Sequence, residues 1–502
     1  MSGFESLVEP LAGTLDPAHA CERFADLPYV LFLDSAAPDH PDAHYSFLTA
    51  DPACVVRSKG EVTEVWRRGG EWTSVPGDAL SVARALLPPG PADPIQGLPP
   101  FQGGIAGYIG YDWGAVLERL PQPRFDDLRI PDVVLCLYDW VIAWDHRSKL
   151  AWLISTGLPI VGQARERHAR ARLDLVRARL QRDRSSRPTE QPPGDSGPSL
   201  LRDSGRAYAQ APTYPATVIP GADRLGLRST FTRRGYLDAV ARVREYILAG
   251  DIFQANLSQR FQGPWASTPF DLYRRLRRRN PAPFAAYLGF NDVAVLSASP
   301  ERFLRLKGQA IETRPIKGTR PRGLGPMHDA ALGRALAESR KDRAENVMIV
   351  DLLRNDLSRV CRPGTVRVPE LFALEHHPTV HHLVSTVVGE IEPWAGAVEL
   401  IRAAFPGGSI TGAPKIRAME IIAELEPTQR GVYCGSIGYL SATGTMDTSI
   451  VIRTYLLLNG QVYFQAGGGI VADSDPELEY GETLDKARGL IETLVEGRES
   501  RV

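Results

Sequence analysis

One lysine of the chain stands within a run of prolines, glycines and arginines, RPIKGTRPRG at residues 314–323. Prolines restrict the backbone and glycines free it, so the run predicts a loop of defined shape. A lysine crowded by other cations loses its proton more readily, and a neutral amine is a nucleophile. The segment therefore predicts either a reactive Lys317 or a basic loop that binds an anion.

Three glutamates have the chemistry of a divalent-cation site. Glu345 stands in the helical segment AENVMIVD, and Glu479 and Glu482 lie three residues apart in ELEYGET. Residues at this spacing project from one face of a helix. One or two carboxylates, completed by water and substrate oxygens, are typical of a magnesium site. The alternative is a solvated acidic helix face.

Two glycine-rich segments could bring backbone amides close to an anion. AGGGIV at 466–471 follows a strand-like run, and GGSITGAPK at 407–415 leads into a helix. Neither has the glycine pattern of a dinucleotide site or the G-K-[ST] ending of a P-loop. Consecutive glycines in a strand are also typical of a β-bulge.

Histidines and arginines form two further clusters. HHPTVHH at 376–382 contains Pro378, which argues against one helix presenting two metal ligands, so a single hydrogen-bonding or acid–base histidine is favoured. YRRLRRRN at 273–280 could bind nucleic acid, but we favour a solvated helix face, because aromatic residues are not interleaved with the arginines.

Composition indicates a soluble globular protein of 502 residues with 43% hydrophobic residues and a formal net charge of −1. This balance gives no field that favours nucleic acid or membrane. No apolar run approaches a membrane span, and the N-terminus lacks a secretory signal. Five cysteines scattered along the chain indicate reduced thiols. We therefore expect a cytoplasmic protein.

The elements that position these residues are strands and helices in mixed order. Runs of β-branched and aromatic residues predict strands. Apolar residues at helical spacing predict helices, one of them with an N-cap at Thr232. Residues 101–114 are predicted to form a close-packed turn region. Short strands bounded by turns favour antiparallel sheets covered by helices, the α+β class. The strands are predicted at 28–35, 133–144, 150–155, 253–261, 293–299, 436–441, 449–458 and 462–471, and the helices at 162–182, 233–249, 344–360 and 477–495.

A polar segment divides the chain. Pro, Ser and Gly dominate residues 185–199, and such a segment buries too little apolar surface to offset its ordering entropy. We predict an N-terminal part at 1–182, a linker or insertion at 183–228, and a second part at 229–502 that carries the reactive segments.

Long motifs in the second part resemble the chorismate-utilising enzymes, the family of anthranilate synthase component I, aminodeoxychorismate synthase component I and the isochorismate and salicylate synthases. The resemblance implies one large unit of two packed antiparallel sheets with helices outside. The motifs are SASPERF, RPIKGTRPRG, AENVMIVDLLRNDLSRV, HHLVSTVVG, GGSITGAPKIRAME, YCGSIGYLS, RTYLLL and AGGGIVADSDPELEYGETLDKA.

Within this family, PIKGT resembles the segment of the aminodeoxychorismate synthases, whereas anthranilate synthases usually carry alanine in place of Lys317. The resemblance implies that chorismate is aminated to 4-amino-4-deoxychorismate through a covalent lysine intermediate, on the route to 4-aminobenzoate and folate. Two alternatives stay open: an anthranilate synthase, and a catalytically inactive subunit that serves assembly.

The resemblance also implies a role for individual residues. Glu301 is expected to be the general acid, and Mg²⁺ is expected to bind Glu345 and Glu482, with Glu479 nearby. Gln254 stands where isochorismate-type members carry a lysine that activates water, which argues against water as the nucleophile. The expected substrate-binding residues are Arg453, Gly468, Gly469, Lys486, Tyr439, Ser409, His382 and Gln254.

Two partner predictions follow from the resemblance. Cys361 lacks the small flanking residues of a glutaminase nucleophile, so a separate glutaminase subunit is expected to supply ammonia. FLDS at 32–35 resembles a tryptophan pocket of the family. Asp34 and Ser35 therefore either contact tryptophan or simply end a core strand.

Overall fold

Two large antiparallel sheets lie face to face, with helices on their outer surfaces, in the computed structural model of the chain. The structure describes residues 6–12, 15–181, 198–201, 209–216, 225–376 and 380–499. The predicted α+β class is confirmed. No helix in these ranges is long and apolar enough to cross a membrane.

The first sheet contains thirteen strands of the described residues, in the order β1-β10-β9-β3-β2-β14-β15-β24-β25-β13-β12-β11, with β21 beside β13. Their bounds are β1 Leu7–Leu11, β2 Val30–Asp34, β3 Tyr45–Thr49, β9 Trp140–Asp145, β10 Leu150–Ser155, β11 Tyr214–Pro215, β12 Arg228–Ser229, β13 Gln254–Pro264, β14 Phe284–Gly289, β15 Val293–Ser299, β21 Gly412–Ala413, β24 Thr454–Leu458 and β25 Gln461–Ile470.

The second sheet contains twelve strands within the same ranges, in the order β18-β20-β17-β16-β23-β22-β7-β8-β4-β5-β6, with β19 also paired to β20. Their bounds are β4 Cys54–Lys59, β5 Val62–Arg67, β6 Thr73–Val75, β7 Gly104–Ile109, β8 Val133–Tyr138, β16 Arg302–Lys307, β17 Ala310–Thr313, β18 Ile316–Pro321, β19 Arg367–His376, β20 Val380–Glu390, β22 Ser436–Ser441 and β23 Met446–Ile450.

Helices cover the outer face of each sheet. The predicted N-cap is confirmed, because the Thr232 hydroxyl accepts the Gly235 N–H at the start of α5. The bounds are α1 Pro17–Glu22, α2 Ala79–Ala85, α3 Gly114–Leu117, α4 Gln163–Gln181, α5 Arg233–Leu248, α6 Pro269–Arg279, α7 Pro326–Ala337, α8 Arg340–Ser358, α9 Ala397–Ala404, α10 Lys415–Leu425 and α11 Pro476–Glu499.

The apolar core forms three layers. The middle layer joins the facing surfaces of the two sheets, through residues such as Leu31 and Val295 from the first and Val134 and Ile437 from the second. The outer layers lie under α1, α4, α6 and α11 on the first sheet and under α2, α8 and α9 on the second. Strand β8, VVLCLY, is buried at every residue, as expected for a strand covered on both faces.

Both sheets mix strands from the two ends of the chain. In the first sheet β2 pairs with β14, and in the second β7 pairs with β22. Most of the predicted linker at 183–228 lies outside the described residues. Within its described part, Leu200 is buried and its carbonyl accepts a hydrogen bond from Arg57.

Four predicted elements differ from the structure. Residues 133–144 form β8 and β9, which belong to different sheets, and 449–458 belongs to β23 and β24, again in different sheets. Each run is apolar on both sides of its crossing between sheets, and only one charged residue, Asp139 or Arg453, stands at the crossing, so periodicity alone does not locate the break. Residues 101–114 contain strand β7 rather than only turns, and the lysine-bearing loop is strand β18.

The basic run at 273–280 lies on α6, as a helix face whose arginines meet carboxylates. Arg274 pairs with Glu22, Arg277 with Asp34, and Arg279 with glutamates of α11. Its positive charge is therefore largely used within the protein.

Candidate active site

Two crossings between the sheets bring Glu301 and Arg453 to one place. Glu301 lies between β15 and β16, and Arg453 lies between β23 and β24. The Ala298 N–H donates to the Arg453 carbonyl, and the Ile450 N–H donates to the Glu301 carbonyl at 3.0 Å. These bonds hold the crossings side by side. The backbone of Arg453 is left-handed, with a φ of 52°.

A bulge in β18 presents Lys317. The register between β18 and β20 shifts between Ile316 and Thr319, so Lys317 and Gly318 fall outside the regular ladder. Gly318 has a φ of +82°, and a Cβ there would lie 2.8 Å from Leu336. Only glycine fits such a close, left-handed position without strain.

Ser409 contacts both Lys317 and Glu301, through its backbone carbonyl and its hydroxyl respectively. The Lys317 Nζ donates to the Ser409 carbonyl at 2.9 Å. The Ser409 Oγ donates to the Glu301 Oε1 at 2.7 Å. Ser409 is held in the short 3-10 turn Gly408–Ile410, which begins the glycine-rich segment predicted to approach a ligand. The structure therefore brings an amine and a carboxyl group to one small region.

Burial shifts both of these groups toward their neutral forms. Burial raises the pKa of Glu301 to about 7, against the hydrogen bond from Ser409 and the charge of Lys317. Burial lowers the pKa of Lys317, and the nearby Lys486 acts in the same direction against three glutamates. A protonated carboxyl and a neutral amine therefore become accessible together.

The three arginines around Lys317 do not have the predicted role. Arg314 pairs with Asp42 and Glu375, Arg320 with Asp342, and Arg322 with Asp329. Their charges are met by carboxylates, and the lysine's pKa is lowered by burial and by Lys486 instead. The prediction that the arginines keep Lys317 unprotonated is wrong.

His382 supports the bulged strand. It is buried, lies opposite Thr319 in the β18–β20 register, and its Nδ1 is 2.9 Å from the Thr319 Oγ1. In the same region His376 and His381 contact each other through their Nδ1 atoms, and His381 pairs with Asp329. Residues 377–379 of the histidine cluster lie outside the described residues.

Glu479 and Glu482 converge over a glycine of β25. A Cβ on Gly468 would lie 3.1 Å from Glu482 Oε1 and 3.3 Å from Glu479 Oε2. The absent side chain therefore leaves room for two carboxylates against the sheet. Glu345, in the first turns of α8, raises the pKa of the shared neighbour Lys317.

The three glutamates are not gathered as three ligands of one ion. Among the described residues, no group of three or more His, Cys, Asp or Glu side chains is arranged to hold a metal. Two of the carboxylates contact lysines instead: Glu482 pairs with Lys486 at 2.7 Å, and Glu479 with Lys341 at 3.5 Å. A hard cation with two carboxylates, water and substrate oxygens still fits the donor set.

One edge of β25 has no partner strand beyond Phe464 among the described residues, because β24 pairs only with residues 461–464 of β25. We call this part of β25 the open edge. The N–H groups of Asn256 and Ser258 point away from β25, toward the Thr411 carbonyl and Glu426, so Leu257 between them faces β25.

The alternation of the strand then assigns each glycine amide. Gly468, opposite Leu257, faces β13, and the amides of Gly467 and Gly469 face the open edge. The prediction for Gly469 fits this geometry, whereas Gly467 takes the place predicted for Gly468. Gly468 instead makes room for the two glutamates.

Two further predicted substrate residues contact β25 at this edge. Lys486 donates to the Gly467 carbonyl at 2.9 Å. Gln254 is buried against Gly469, and its Oε1 has no hydrogen-bond partner among the described residues. The Arg453 guanidinium makes no hydrogen bond or ion pair with any residue that the structure describes. Polar groups without partners are expected where a ligand supplies them.

Tyr439 lies elsewhere. It is buried between the sheets, where its ring stacks on Phe101 with centroids 4.8 Å apart. It lines a separate cavity of about 900 Å³ together with Asp34, Ser35 and Phe47. The prediction that Tyr439 binds the substrate with Lys317 is wrong, because the side chain faces the middle layer rather than the open edge.

Asp34 and Ser35 line that second cavity with different orientations. The Asp34 carboxylate accepts hydrogen bonds from Arg277 and Tyr273 of α6, at 2.7 and 3.0 Å. It therefore anchors a helix to the strand that it ends. The Ser35 Oγ donates to the Tyr45 carbonyl at 2.6 Å. Both side chains are therefore bonded within the fold, Asp34 to a helix and Ser35 to the backbone of β3.

The sequence reasoning missed Lys341. Its ammonium lies 3.5 Å from Glu479, and Glu345 and Glu482 are close enough to raise its pKa against burial. The spacing gives a signal, because Lys341 and Glu345 are four residues apart on α8 and share one face.

A model of the family described as chorismate binding enzyme matches residues 30–492. The match spans both sheets and every residue of the open edge. The chain belongs to the chorismate binding enzyme family.

Its relatives include two kinds of enzyme. Aminodeoxychorismate synthase component 1 of Salmonella typhimurium is 42% identical over 470 residues, 93% of this chain and 93% of that protein. The protein of the same name from Escherichia coli is 41% identical over 94% of each chain. Anthranilate synthase component 1 of Streptomyces coelicolor is 42% identical over 83% of this chain and 77% of that protein.

Solved structures share the fold. Anthranilate synthase component I from Streptococcus pneumoniae has a TM-score of 0.72 at 32% identity, covering 90% of this chain and 93% of that one. The menaquinone-specific isochorismate synthase of Escherichia coli has a TM-score of 0.67 at 18% identity, covering 98% and 94%, which is a likeness of fold alone.

Proposed function

We propose that the chain is the large subunit of an aminodeoxychorismate synthase, which converts chorismate and ammonia to 4-amino-4-deoxychorismate. The observation that carries the proposal is the Lys317 amine, linked through Ser409 to the Glu301 carboxyl. An amine held beside an acid suits a displacement in which the amine adds and a hydroxyl leaves. The names of the Salmonella and Escherichia coli relatives support the same product.

The reaction divides into two substitutions. In the first, the neutral Lys317 amine bonds to the far end of the ring diene, the double bonds shift, and the 4-hydroxyl leaves as water with a proton from Glu301. In the second, ammonia bonds to carbon 4, the double bonds shift back, and the lysine leaves. Protons lost by the two amines balance those taken up by Glu301 and Lys317. Carbon 4 is planar in the lysine-bound intermediate, so delivery of ammonia to the face that the hydroxyl left retains the configuration there.

The open edge of β25 would hold the substrate carboxylates. The Arg453 guanidinium, Lys486 and the amides of Gly467 and Gly469 are donors suited to carboxylate oxygens. Mg²⁺ would bind among the three predicted carboxylates, Glu345, Glu482 and Glu479, and when bound the ion would neutralise a substrate carboxylate. The buried Gln254 offers an amide rather than a base, which favours ammonia over activated water.

Ammonia would come from a separate glutaminase subunit. The relatives are named component 1, which implies a second component. Cys361 is buried, and burial raises its pKa to about 11. A thiol in that environment is a poor nucleophile, so we assign glutamine hydrolysis to the partner.

Replacement of Lys317 by alanine tests the product and the mechanism. With chorismate, ammonium and Mg²⁺, we expect the wild-type protein to form aminodeoxychorismate, measured as 4-aminobenzoate after addition of the lyase. We expect the K317A variant to lose this product by at least about 100-fold. Mass spectrometry of wild type quenched with chorismate should find an adduct on the Lys317 peptide.

Three results would contradict this proposal. Anthranilate as the main wild-type product, detected by its fluorescence, would favour the anthranilate synthase alternative. Wild-type rates in the K317A variant would exclude the covalent step. Absence of any turnover in wild type, with intact folding by circular dichroism, would favour an inactive assembly subunit.

Replacement of Gly468 by alanine tests the metal site. The new methyl group would lie 3.1 Å from Glu482 Oε1 and 3.3 Å from Glu479 Oε2. We expect the carboxylates to separate and the Mg²⁺ concentration for half-maximal rate to rise about 10-fold. The matched control is Gly481→Ala on α11, where a Cβ meets nothing within 4 Å. An equal Mg²⁺ requirement in both variants would contradict the site.

The cavity of about 900 Å³ is the proposed tryptophan site. Phe47 and Tyr439 supply aromatic walls, and Ser35, Asp42 and Arg302 line it with polar or charged groups. Mass spectrometry of the acid-denatured protein should release tryptophan, or added tryptophan should raise the melting temperature. If neither effect is observed at millimolar tryptophan, Asp34 and Ser35 simply end a core strand.

A further inference from the structure

Among the described residues, three lysines act on the cluster of Glu345, Glu479 and Glu482, and Lys341 is the one to which the proposed reaction gives no task. Lys317 is the proposed nucleophile, and Lys486 contacts the Gly467 carbonyl at the open edge. Lys341 instead lies 3.5 Å from Glu479 through its Nζ and Oε1 atoms. It stands in the first turn of α8, directly after the Ser339 N-cap and Arg340.

The two partners of this ion pair differ strongly in exposure. The Glu479 side chain is 4% exposed and is fixed by a hydrogen bond from Ser474, at 2.6 Å. The Lys341 side chain is 51% exposed. The carboxylate is therefore held in place by the fold, whereas the ammonium has a path to solvent.

A divalent cation on Glu479 would meet the Lys341 ammonium at close range. Two like unit charges about 4 Å apart repel each other by about 1 kcal/mol even in water, and by more near a protein surface. Both cations therefore compete for one carboxylate. The lysine has to withdraw when the metal binds, and its exposure allows this.

We propose that Lys341 is a built-in competitor of Mg²⁺, which neutralises Glu479 in the metal-free protein and keeps the affinity of the empty site for Mg²⁺ low. This inference rests on the metal site of the proposed function. Substrate would add a carboxylate to the site, and the extra charge would then favour the divalent ion over the lysine. The metal would bind tightly only together with chorismate.

The test measures metal binding directly, without turnover. Mn²⁺ alone is titrated into the full-length protein, and free Mn²⁺ is followed by electron paramagnetic resonance, with Mg²⁺ as the competing ion. We expect Lys341→Gln to bind Mn²⁺ on the order of 10-fold more tightly than wild type in the absence of chorismate. Lys341→Arg keeps the charge and should stay close to wild type.

Arg340→Gln is the matched control for net charge. It removes one positive charge from the neighbouring exposed position of the same helix. We expect less than a twofold change in Mn²⁺ affinity, because its effect is long-range and screened.

Each other result overturns the inference. Equal or weaker Mn²⁺ binding by Lys341→Gln would make Lys341 a neutral or supporting residue of the site. An equal gain in Mn²⁺ affinity in Lys341→Gln and Arg340→Gln would mean that the effect comes from net charge alone. No Mn²⁺ binding by wild type or either variant would remove the metal site itself, whereas the Lys317 product assay would still decide the proposed reaction.

Discussion

At the residue scale, Glu301 and Lys317 have opposite charges when ionised, yet the proposed reaction needs both of them neutral. Burial penalises the charged form of either group, so it raises the pKa of the acid and lowers that of the amine. Ser409 contacts both: its carbonyl accepts from the lysine and its hydroxyl donates to the glutamate. One residue therefore positions the acid and the nucleophile relative to each other.

The pH dependence of kcat/KM should report Glu301, because this ratio reflects the ionisation of the free enzyme. A general acid acts in its protonated form, so a pKa of about 7 predicts that kcat/KM falls as pH rises above about 7. Glu301→Gln should lower kcat by about 10²- to 10⁴-fold. Ser409→Ala removes a hydrogen bond that favours the carboxylate, so the pKa rises and the alkaline limb moves to higher pH.

Ser409→Thr keeps a hydroxyl group and should keep the wild-type limb. The measurement is kcat/KM for chorismate from pH 6 to 9. An alkaline limb that does not move in Ser409→Ala would mean that a group other than Glu301 sets it.

At the element scale, the site depends on places where regular structure is interrupted. The bulge in β18 turns Lys317 out of the ladder, and the crossings at 300–301 and 451–453 place Glu301 and Arg453 between sheets. The end of the β24 ladder leaves the edge of β25 open to a ligand. Interruptions of this kind re-aim side chains and free backbone donors.

Gly318→Ala tests the bulge. The left-handed φ of +82° costs a non-glycine residue about 1–2 kcal/mol, and the new methyl group would lie 2.8 Å from Leu336 and 3.1 Å from Asp342. We expect reduced stability in urea denaturation and at least about a 10-fold loss of kcat, because Lys317 moves with its neighbour.

Gly308→Ala is the matched control. Its φ is +59°, and a Cβ there meets nothing within 4 Å. It should show a similar backbone cost to stability with kcat unchanged. Equal kcat in both variants would mean that the shape of the bulge does not position the amine.

At the scale of the whole molecule, long-range ion pairs hold the layers together. Arg260 of β13 donates to both carboxylate oxygens of Asp127, at 2.8 and 2.5 Å, and both side chains are almost fully buried. Asp127 belongs to the segment that leads into β8 of the second sheet. The pair therefore connects β13, the partner strand of β25, to the segment that enters the second sheet.

Asp127→Ala should be strongly destabilising, because it leaves a buried guanidinium without its carboxylate. We expect a loss of about 3–5 kcal/mol in the free energy of unfolding. The control is Asp238→Ala, which removes an exposed pair with Arg234 on α5 and should cost no more than about 0.5 kcal/mol. Urea denaturation followed by tryptophan fluorescence measures both variants. Comparable losses in the free energy of unfolding would mean that the buried pair contributes no more to stability than the exposed one.

Much of this organisation is predictable from the sequence. Local signals are enough for α5, whose N-cap and apolar spacing lie within one segment, and for the α+β class. The reactive residues Lys317, Glu301, Ser409 and Arg453 are found through their motifs. The breaks within 133–144 and 449–458 are not found, because strand-forming residues flank both crossings and a single charged residue, Asp139 or Arg453, is the only local signal.

The sequence by itself determined helices α4, α5, α8 and α11, fewer than half of the described strands, and the set of polar residues that could act on a carboxylate substrate. The tertiary structure alone decided which of them meet: Ser409 contacts a glutamate 108 residues away, Tyr439 faces a different cavity, and Lys341 reaches Glu479 from another helix. The arginines beside Lys317 contact distant carboxylates rather than the lysine. Periodicity and turn chemistry act over a few residues, whereas burial and ion pairing depend on elements that are adjacent only after folding.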